Sequence, residues 1–137
     1  MSDVAATAFL AAASAHAGLQ ATVTLVVYPT LSHVRSANWR QAHDRVTDEF
    51  RPLIAAAYVL LAGTGVWWLA VDWSILAVVA VVLALLAMAV TGVVAAPLHR
   101  RLVKRNDATV ARLLLVDRWR TGLAFAAVAV TFAAIFA

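Results

Sequence analysis

The hydrophobic positions of the chain fall into four long blocks that polar segments separate. We place these blocks at about residues 4–28, 53–71, 75–96 and 113–137, and we expect the first to end before Pro29. Each block approaches the ~20 residues that a helix needs to cross ~30 Å of hydrocarbon. Because a bilayer interior holds no water, every backbone polar group there must bond within its own segment. The pattern therefore predicts an all-α fold: a single domain forming an integral membrane four-helix bundle.

The eleven Lys and Arg residues all lie in two stretches: residues 35–51, between the first two predicted spans, and residues 100–120, between the third span and the start of the fourth. Positive charge accumulates on the cytoplasmic side of membrane proteins. We therefore expect both long loops to be cytoplasmic, and both termini and the short turn at residues 72–74 to lie outside. Three tryptophans near that turn fit an aromatic belt at the outer surface: Trp67, Trp68 and Trp73. The predicted location is the plasma membrane, which is the inner membrane in a bacterium.

Composition agrees with a membrane protein and narrows the range of partners. Of the 137 residues, 64% are hydrophobic, and the mean hydropathy is +0.88, well above an average soluble domain. The net charge of +4 could indicate a nucleic acid partner, but membrane orientation explains the basic loops, so we exclude nucleic acid. The expected partners are the lipid bilayer and a small hydrophobic substrate, and the Ala- and Gly-rich helices allow a homo-oligomer. The absence of Cys excludes disulfides and thiolate chemistry.

The cytoplasmic loops carry helix signals of their own. Residues 38–50 are predicted to form a helix that leads into the second span, with Asn38 and Gln41 as a capping box. Two ion pairs at i,i+4 spacing support this helix: Arg40–Asp44 and Arg45–Glu49. Asn106 or Asp107 is expected to cap a helix that enters the fourth span. The helices are thus expected to project beyond the membrane on the cytoplasmic side.

Polar and titratable side chains gather at the cytoplasmic end of the predicted bundle. They come from all four helices: Tyr28, His43, His99, Asp117 and Arg120. Two imidazoles and a carboxylate could hold copper, iron or zinc. The imidazoles could instead act as a general base near neutral pH, with Arg120 binding an enolate or carboxylate. Alternatively, these residues have no catalytic or metal-binding role. The two histidines would then lie at the membrane interface, and Asp117 would form an ion pair with an arginine of its own helix.

One histidine lies inside the first span. His16 has Gln20 at i+4 on the same helix face, and an ionisable group at that depth is a functional candidate. The alternative is a neutral imidazole bonded to a neighbouring helix. His16 lies ~18 Å along the helix from Tyr28, so we expect Gln20 to line any cavity that connects them. His33 is expected to be an interfacial residue without a functional role.

Four short motifs occur in chain order: YPTL after the first span, WRQAH before the second, APLHRRL after the third and LLLVDRWRT at the fourth. In this order they resemble the anthrone-oxygenase-like family of small four-helix membrane proteins. That family shows a P-L-N-x-x-L element after the third span and an N-x-x-R-T element that opens the fourth. Here His99 and Asp117 stand where those elements have Asn, and His43 stands where another Asn is expected. The pattern is similar to a branch of the family with W-x-x-x-H and P-L-H motifs.

The resemblance implies a membrane-embedded oxidoreductase, an oxygenase that acts on a small hydrophobic or aromatic compound. It implies His43 or His99 as the base and Arg120 as the group that stabilises the enolate. The expected substrate-binding residues are His16, Gln20, Tyr28, Trp39 and Trp119. In a variant of this hypothesis, copper or iron is bound by His43, His99 and Asp117, with His16 as a further ligand.

A second hypothesis is a membrane protein without catalytic activity. It could be a haem- or metal-binding electron carrier, or a small transporter with His16 and Gln20 as a relay. It could also be a partner subunit of a larger complex. No inverted repeat supports a transporter.

Overall fold

A computed structural model of the chain describes residues 2–102 and 104–136. Within this part of the chain every regular element is helical and no strand occurs. Four helices are long and apolar enough to cross a membrane: α1 (Ser2–Ser32), α2 (Ser36–Val71), α3 (Ile75–Arg101) and α4 (Asp107–Phe136). The prediction of an all-α fold with four long apolar helices is confirmed.

Two of these helices continue through a proline that follows a π-helical turn. α1 continues past Pro29, where we expected it to end, because a π-helical turn at Val23–Val27 precedes the proline. In that turn the Tyr28 N–H bonds to the Val23 carbonyl, five residues back. A proline cannot donate the usual backbone bond and its ring crowds the carbonyl four residues back, so a wider turn accommodates it. α3 has the same arrangement, with a π-helical turn at Thr91–Ala95 followed by a proline at the start of its last segment.

The starts of α2 and α4 differ in how they are capped. α2 begins with a 3₁₀ turn, and Asn38 makes no side-chain cap bond, so the predicted capping box is absent. The predicted helix that leads into the second span is present. It is continuous with that span, because α2 runs unbroken through Pro52. Both predicted ion pairs form, with N–O distances of 3.7 Å for Arg40–Asp44 and 2.8 Å for Arg45–Glu49. At α4 the Asn106 side chain accepts the Thr109 N–H at 2.9 Å, as a capping residue does.

The helices pack around two apolar clusters. α1 contacts both α2 and α4, and α3 packs mainly on α4. The first cluster contains Phe9 and Trp68 among many small side chains, and an added Cβ at Gly65 would lie 3.2 Å from the Phe9 ring. The second cluster surrounds Tyr28 and Trp39 near the other end of α1. Small residues allow helix backbones to approach closely, which suits packing without a hydrophobic driving force.

The outer surface of the helices is apolar as well. Large hydrophobic side chains are exposed on every helix, among them Leu25, Val59, Val66, Ile75, Val93 and Phe132. Water-soluble monomers rarely expose large continuous apolar surfaces. An exterior of this kind matches the hydrocarbon of a bilayer.

Candidate functional site

A group of polar side chains is buried between the two apolar clusters. Along α1 the apolar clusters lie on either side of His16 and Gln20, and along α4 they lie on either side of Asp117 and Arg120. His43 of α2 is buried close to this group. Buried polar groups destabilise a fold unless they form hydrogen bonds, so we expect these side chains to bond to one another.

α1 contributes a stripe of four polar residues at a spacing of four: His16, Gln20, Thr24 and Tyr28. In a regular α-helix this spacing drifts by about 40° per step, because each turn holds about 3.6 residues. The π-helical turn at Val23–Val27 holds more residues per turn, so it reduces the drift between Thr24 and Tyr28. All four side chains therefore reach the inside of the protein, and each makes a polar contact there.

Asp117 and Arg120 form the centre of the buried network. Arg120 Nη2 lies 2.6 Å from Gln20 Oε1 and 3.5 Å from Asp117 Oδ1. The other carboxylate oxygen, Oδ2, accepts a short hydrogen bond from Thr24, whose hydroxyl also lies 2.8 Å from that of Thr121. Arg120 Nε is buried without a hydrogen-bond partner among the described residues. The predicted ion pair within α4 is present, and it leaves one guanidinium N–H free.

The contact of Gln20 with Arg120 determines which ring nitrogen of a neutral His16 carries the proton. A guanidinium can only donate, so the Gln20 atom that faces Arg120 is the carbonyl oxygen. The Gln20 NH₂ group must then face His16 Nε2, at 3.2 Å, and donate to it. A neutral His16 therefore carries its proton on Nδ1. His16 and Gln20 act as supports that orient Arg120.

His43 and His99 meet although they come from different helices. His43 Nε2 lies 3.1 Å from His99 Nδ1, and the other ring nitrogen of His99 lies 2.9 Å from the Tyr28 hydroxyl. His43 Nδ1 is 3.4 Å from a carboxylate oxygen of Asp44, which is exposed. Three aromatic groups are thus connected in one line that ends at the protein surface.

Trp39 holds His43 in place. The indole is buried and stacks on the imidazole, with 5.9 Å between ring centroids and an angle of 23° between the ring planes. Its Nε1–H donates to the Leu102 carbonyl at 3.1 Å, which ties the start of α2 to the end of α3. Arg105 covers the indole face at 5.8 Å and donates to the Val34 carbonyl. The loop between α3 and α4 is therefore anchored beside the histidine pair.

A cavity of about 580 Å³ lies next to this pair. Its polar lining includes Tyr28, His43, His99 and Arg120, and most of the remaining wall is aliphatic or aromatic, for example Phe50. Small-molecule sites have this character: an apolar concave wall with a few converging polar groups. The size and lining suit a small, largely hydrophobic ligand with one polar edge.

The cavity is also lined by Thr47, Arg51 and Arg100, and by Tyr58 and Thr91, two residues that were not predicted to belong to a site. The Tyr58 hydroxyl lies 2.5 Å from the Thr91 hydroxyl, and Thr91 donates to the Ala87 carbonyl of its own helix. Tyr58 also meets the edge of His16, with 5.5 Å between ring centroids. Both residues lie isolated in apolar stretches, and such a position within a predicted span was the available signal.

The predicted metal ligands do not come together. His43 and His99 are adjacent, whereas Asp117 bonds to Thr24 and His16 bonds to Gln20. Among residues 2–102 and 104–136, no group of three or more His, Cys, Asp or Glu side chains could hold a metal ion. The donor set does not fit a resident copper or iron ion.

Two predictions concerned residues that lie at the surface. Trp119, expected in the pocket, is 69% exposed and does not line the cavity. His33 is exposed, and its Nδ1 lies 2.7 Å from the Pro29 carbonyl oxygen of the same helix.

Comparisons of the chain with protein-family models, with curated proteins and with solved structures gave no match.

Proposed function

We propose that the chain is an integral membrane protein whose four long helices form an antiparallel bundle. Its apolar exterior and the concentration of Lys and Arg in two loops support this proposal. Both loops lie on the cytoplasmic side, and the short turn at residues 72–74 lies outside. The buried polar network then occupies the cytoplasmic half of the bundle, where the cavity is reached from the membrane boundary.

We propose further that the protein is an oxygenase for a small aromatic compound with an activated C–H bond. The observation that carries this proposal is the contact of His43 with His99, at 3.1 Å, in the wall of an apolar cavity that Arg120 also lines. The histidine pair supplies a base that needs no metal, and the guanidinium of Arg120, which also lines the cavity, supplies a donor for an oxyanion. The resemblance to the anthrone-oxygenase-like family points to the same reaction class.

The reaction balances with dioxygen as the only oxidant. The base takes a proton from a methylene group that is conjugated with an aryl ketone through an aromatic ring, and the negative charge moves onto the ketone oxygen as an enolate. Arg120 stabilises that oxygen, as a donor placed where charge develops. The carbanion form reduces dioxygen and bonds to it, and the resulting peroxide anion takes up one proton from water and becomes a hydroperoxide. Loss of water then converts the methylene group into a carbonyl, so one O₂ yields one ketone and one water.

Oxygen uptake by the purified protein in lipid nanodiscs tests this function, with anthrone and 1,8-dihydroxyanthrone as probes. The rate above the protein-free rate should fall about a hundredfold or more in His43→Ala and His99→Ala, because each removes part of the base. His33→Ala is the matched control, since His33 is exposed and contacts only its own helix and should keep the wild-type rate.

Wild-type rates in both His variants would overturn the proposal, as would a wild-type rate equal to that of empty nanodiscs. Elemental analysis of the same samples separates the two forms of the oxygenase hypothesis. Stoichiometric copper or iron that is lost in His43→Ala would contradict the metal-free mechanism.

A further inference from the structure

A continuous line of hydrogen bonds connects the cavity with the exposed face of α2. It runs from the Tyr28 hydroxyl to His99 Nε2 at 2.9 Å, and from His99 Nδ1 to His43 Nε2 at 3.1 Å. The last link joins His43 Nδ1 to Asp44 Oδ1 at 3.4 Å, and the Asp44 side chain is 59% exposed. Both ring nitrogens of His43 and both ring nitrogens of His99 therefore have a hydrogen-bond partner within the line.

The exposed carboxylate sets the direction of every bond in this line. An ionised Asp44 can only accept, so His43 donates from Nδ1 and presents a bare Nε2. His99 must then donate from Nδ1 to that nitrogen, and it presents its own bare Nε2 to the cavity side. Tyr28 therefore donates its hydroxyl proton to His99. All three protons point outward, and the lone pairs of the Tyr28 oxygen are left for a ligand.

We propose that this line, Tyr28–His99–His43–Asp44, carries the proton of the substrate from the cavity to the cytoplasmic surface. The inference rests on the proposed function, and it makes Tyr28 the group that receives the proton. As the Tyr28 oxygen gains the substrate proton, its own proton moves to His99 Nε2. The Nδ1 proton of His99 moves to His43 Nε2, and that of His43 moves to Asp44. Asp44 releases it to water. The line then carries the same net charge as before, and both imidazoles have their proton on Nε2 and must return to the first tautomer before the next proton is carried.

The surroundings favour outward movement. Arg120 lines the cavity beside Tyr28 and disfavours a second positive charge on the inner end of the line. Arg40 lies 3.7 Å from Asp44 and is itself exposed, so solvent screens its effect on the outer end. Trp39 stacks on His43 and keeps the central ring oriented. The inner end of the line is buried beside the Asp117–Arg120 ion pair, whereas the outer end is in contact with water.

Hydroxyl exchange of the tyrosines tests the line without any substrate. The chain has two tyrosines, and Tyr58 is an internal reference, because its hydroxyl bonds to Thr91 and lies outside the line. In protein labelled with ¹³C at tyrosine Cζ, the hydrogen isotope on the hydroxyl shifts the carbon signal, so NMR in mixed H₂O and D₂O gives the exchange rate. Asp44→Asn should slow exchange at Tyr28 about tenfold, less than the loss of a directly placed base, and leave Tyr58 unchanged.

The matched control is Asp48→Asn, which removes an exposed carboxylate one turn further along α2. Asp48 pairs with Arg51 at 3.1 Å and lies outside the line, so this variant should exchange like the wild type. His43→Phe should slow exchange at Tyr28 more than Asp44→Asn does, with the Tyr58 signal reporting that the fold is retained.

Equal Tyr28 exchange in the wild type, Asp44→Asn and His43→Phe would overturn the line and show that water in the cavity exchanges the proton directly. This outcome is distinct from a failure of the proposed function. Slowed Tyr28 exchange in the variants together with absent oxygen uptake would support the proton line and contradict the oxygenase proposal. Oxygen uptake that depends on the histidines together with unchanged Tyr28 exchange would support the oxygenase proposal and contradict the proton line.

Discussion

At the scale of single residues, the Asp117–Arg120 pair is the most demanding feature of the protein. Both side chains are almost fully buried, and removing two charges from water is costly unless hydrogen bonds complete their shells. Thr24 and Gln20 each complete part of a shell, through bonds to Asp117 and to Arg120. Arg120 Nε and Asp117 Oδ1 have no hydrogen-bond partner among the described residues, which is a cost to stability.

This balance predicts the effect of removing one partner. Arg120→Met should destabilise the protein by about 3 kcal/mol, because Asp117 is left as a buried charge without compensation. The double variant Asp117→Asn/Arg120→Met should be more stable than Arg120→Met alone. Thermal unfolding in detergent measures both, with the exposed neighbour Arg118→Met as the control. An Arg120→Met variant as stable as Arg118→Met would contradict an ionised pair at this position.

The histidines show how far single residues can be interpreted from the sequence. Their placement near the predicted membrane boundary selected His43 and His99, and the structure brings these two rings together. The bond of His99 to Tyr28 was not predictable, because it depends on which faces of α1 and α3 meet. Trp119 shows the same limit, since its neighbours Asp117 and Arg120 face inward while it faces outward.

At the scale of elements, the two π-helical turns determine which side chains reach the interior. One turn contains Thr24 and precedes Tyr28, and the other begins at Thr91 and is followed by His99. Turns of this kind occur often at functional sites. The length and apolar character of the helices were predictable from the sequence. The turns were not, because a proline in a predicted helix is compatible with an end, a kink or a wider turn.

A comparison of threonines on α1 tests the inward orientation that the turn produces. Thr24→Val keeps the shape but removes the donor to Asp117, so it should cost about 1–3 kcal/mol. Thr22 and Thr30 flank it on the same helix and bond only to backbone carbonyls of α1, at 2.9 Å and 2.7 Å. Thr22→Val and Thr30→Val should change stability by no more than about 0.5 kcal/mol. Equal losses in all three variants, measured by thermal unfolding, would argue against a specific role for Thr24.

At the scale of the whole molecule, the apolar exterior and the polar interior have different roles. The exterior gives the helices a surface that suits hydrocarbon. In the interior, a hydrogen-bonded polar layer separates the two apolar clusters. The cavity, the histidine pair and the basic loops all belong to the same end of α2 and α3. A proton taken from a ligand there has a short path to the aqueous phase on the proposed cytoplasmic side.

The proposed orientation of the chain in the membrane rests on the two basic loops, and single cysteines can test it. Because the chain has no Cys, each introduced thiol is the only one present. Trp73→Cys lies in the short turn between α2 and α3, and Ser36→Cys lies at the start of α2; both positions are exposed. In intact cells a membrane-impermeant maleimide should label Trp73→Cys and should label Ser36→Cys only after permeabilisation. The reverse pattern would place the basic loops outside, and the proton path would then open on the opposite side of the membrane.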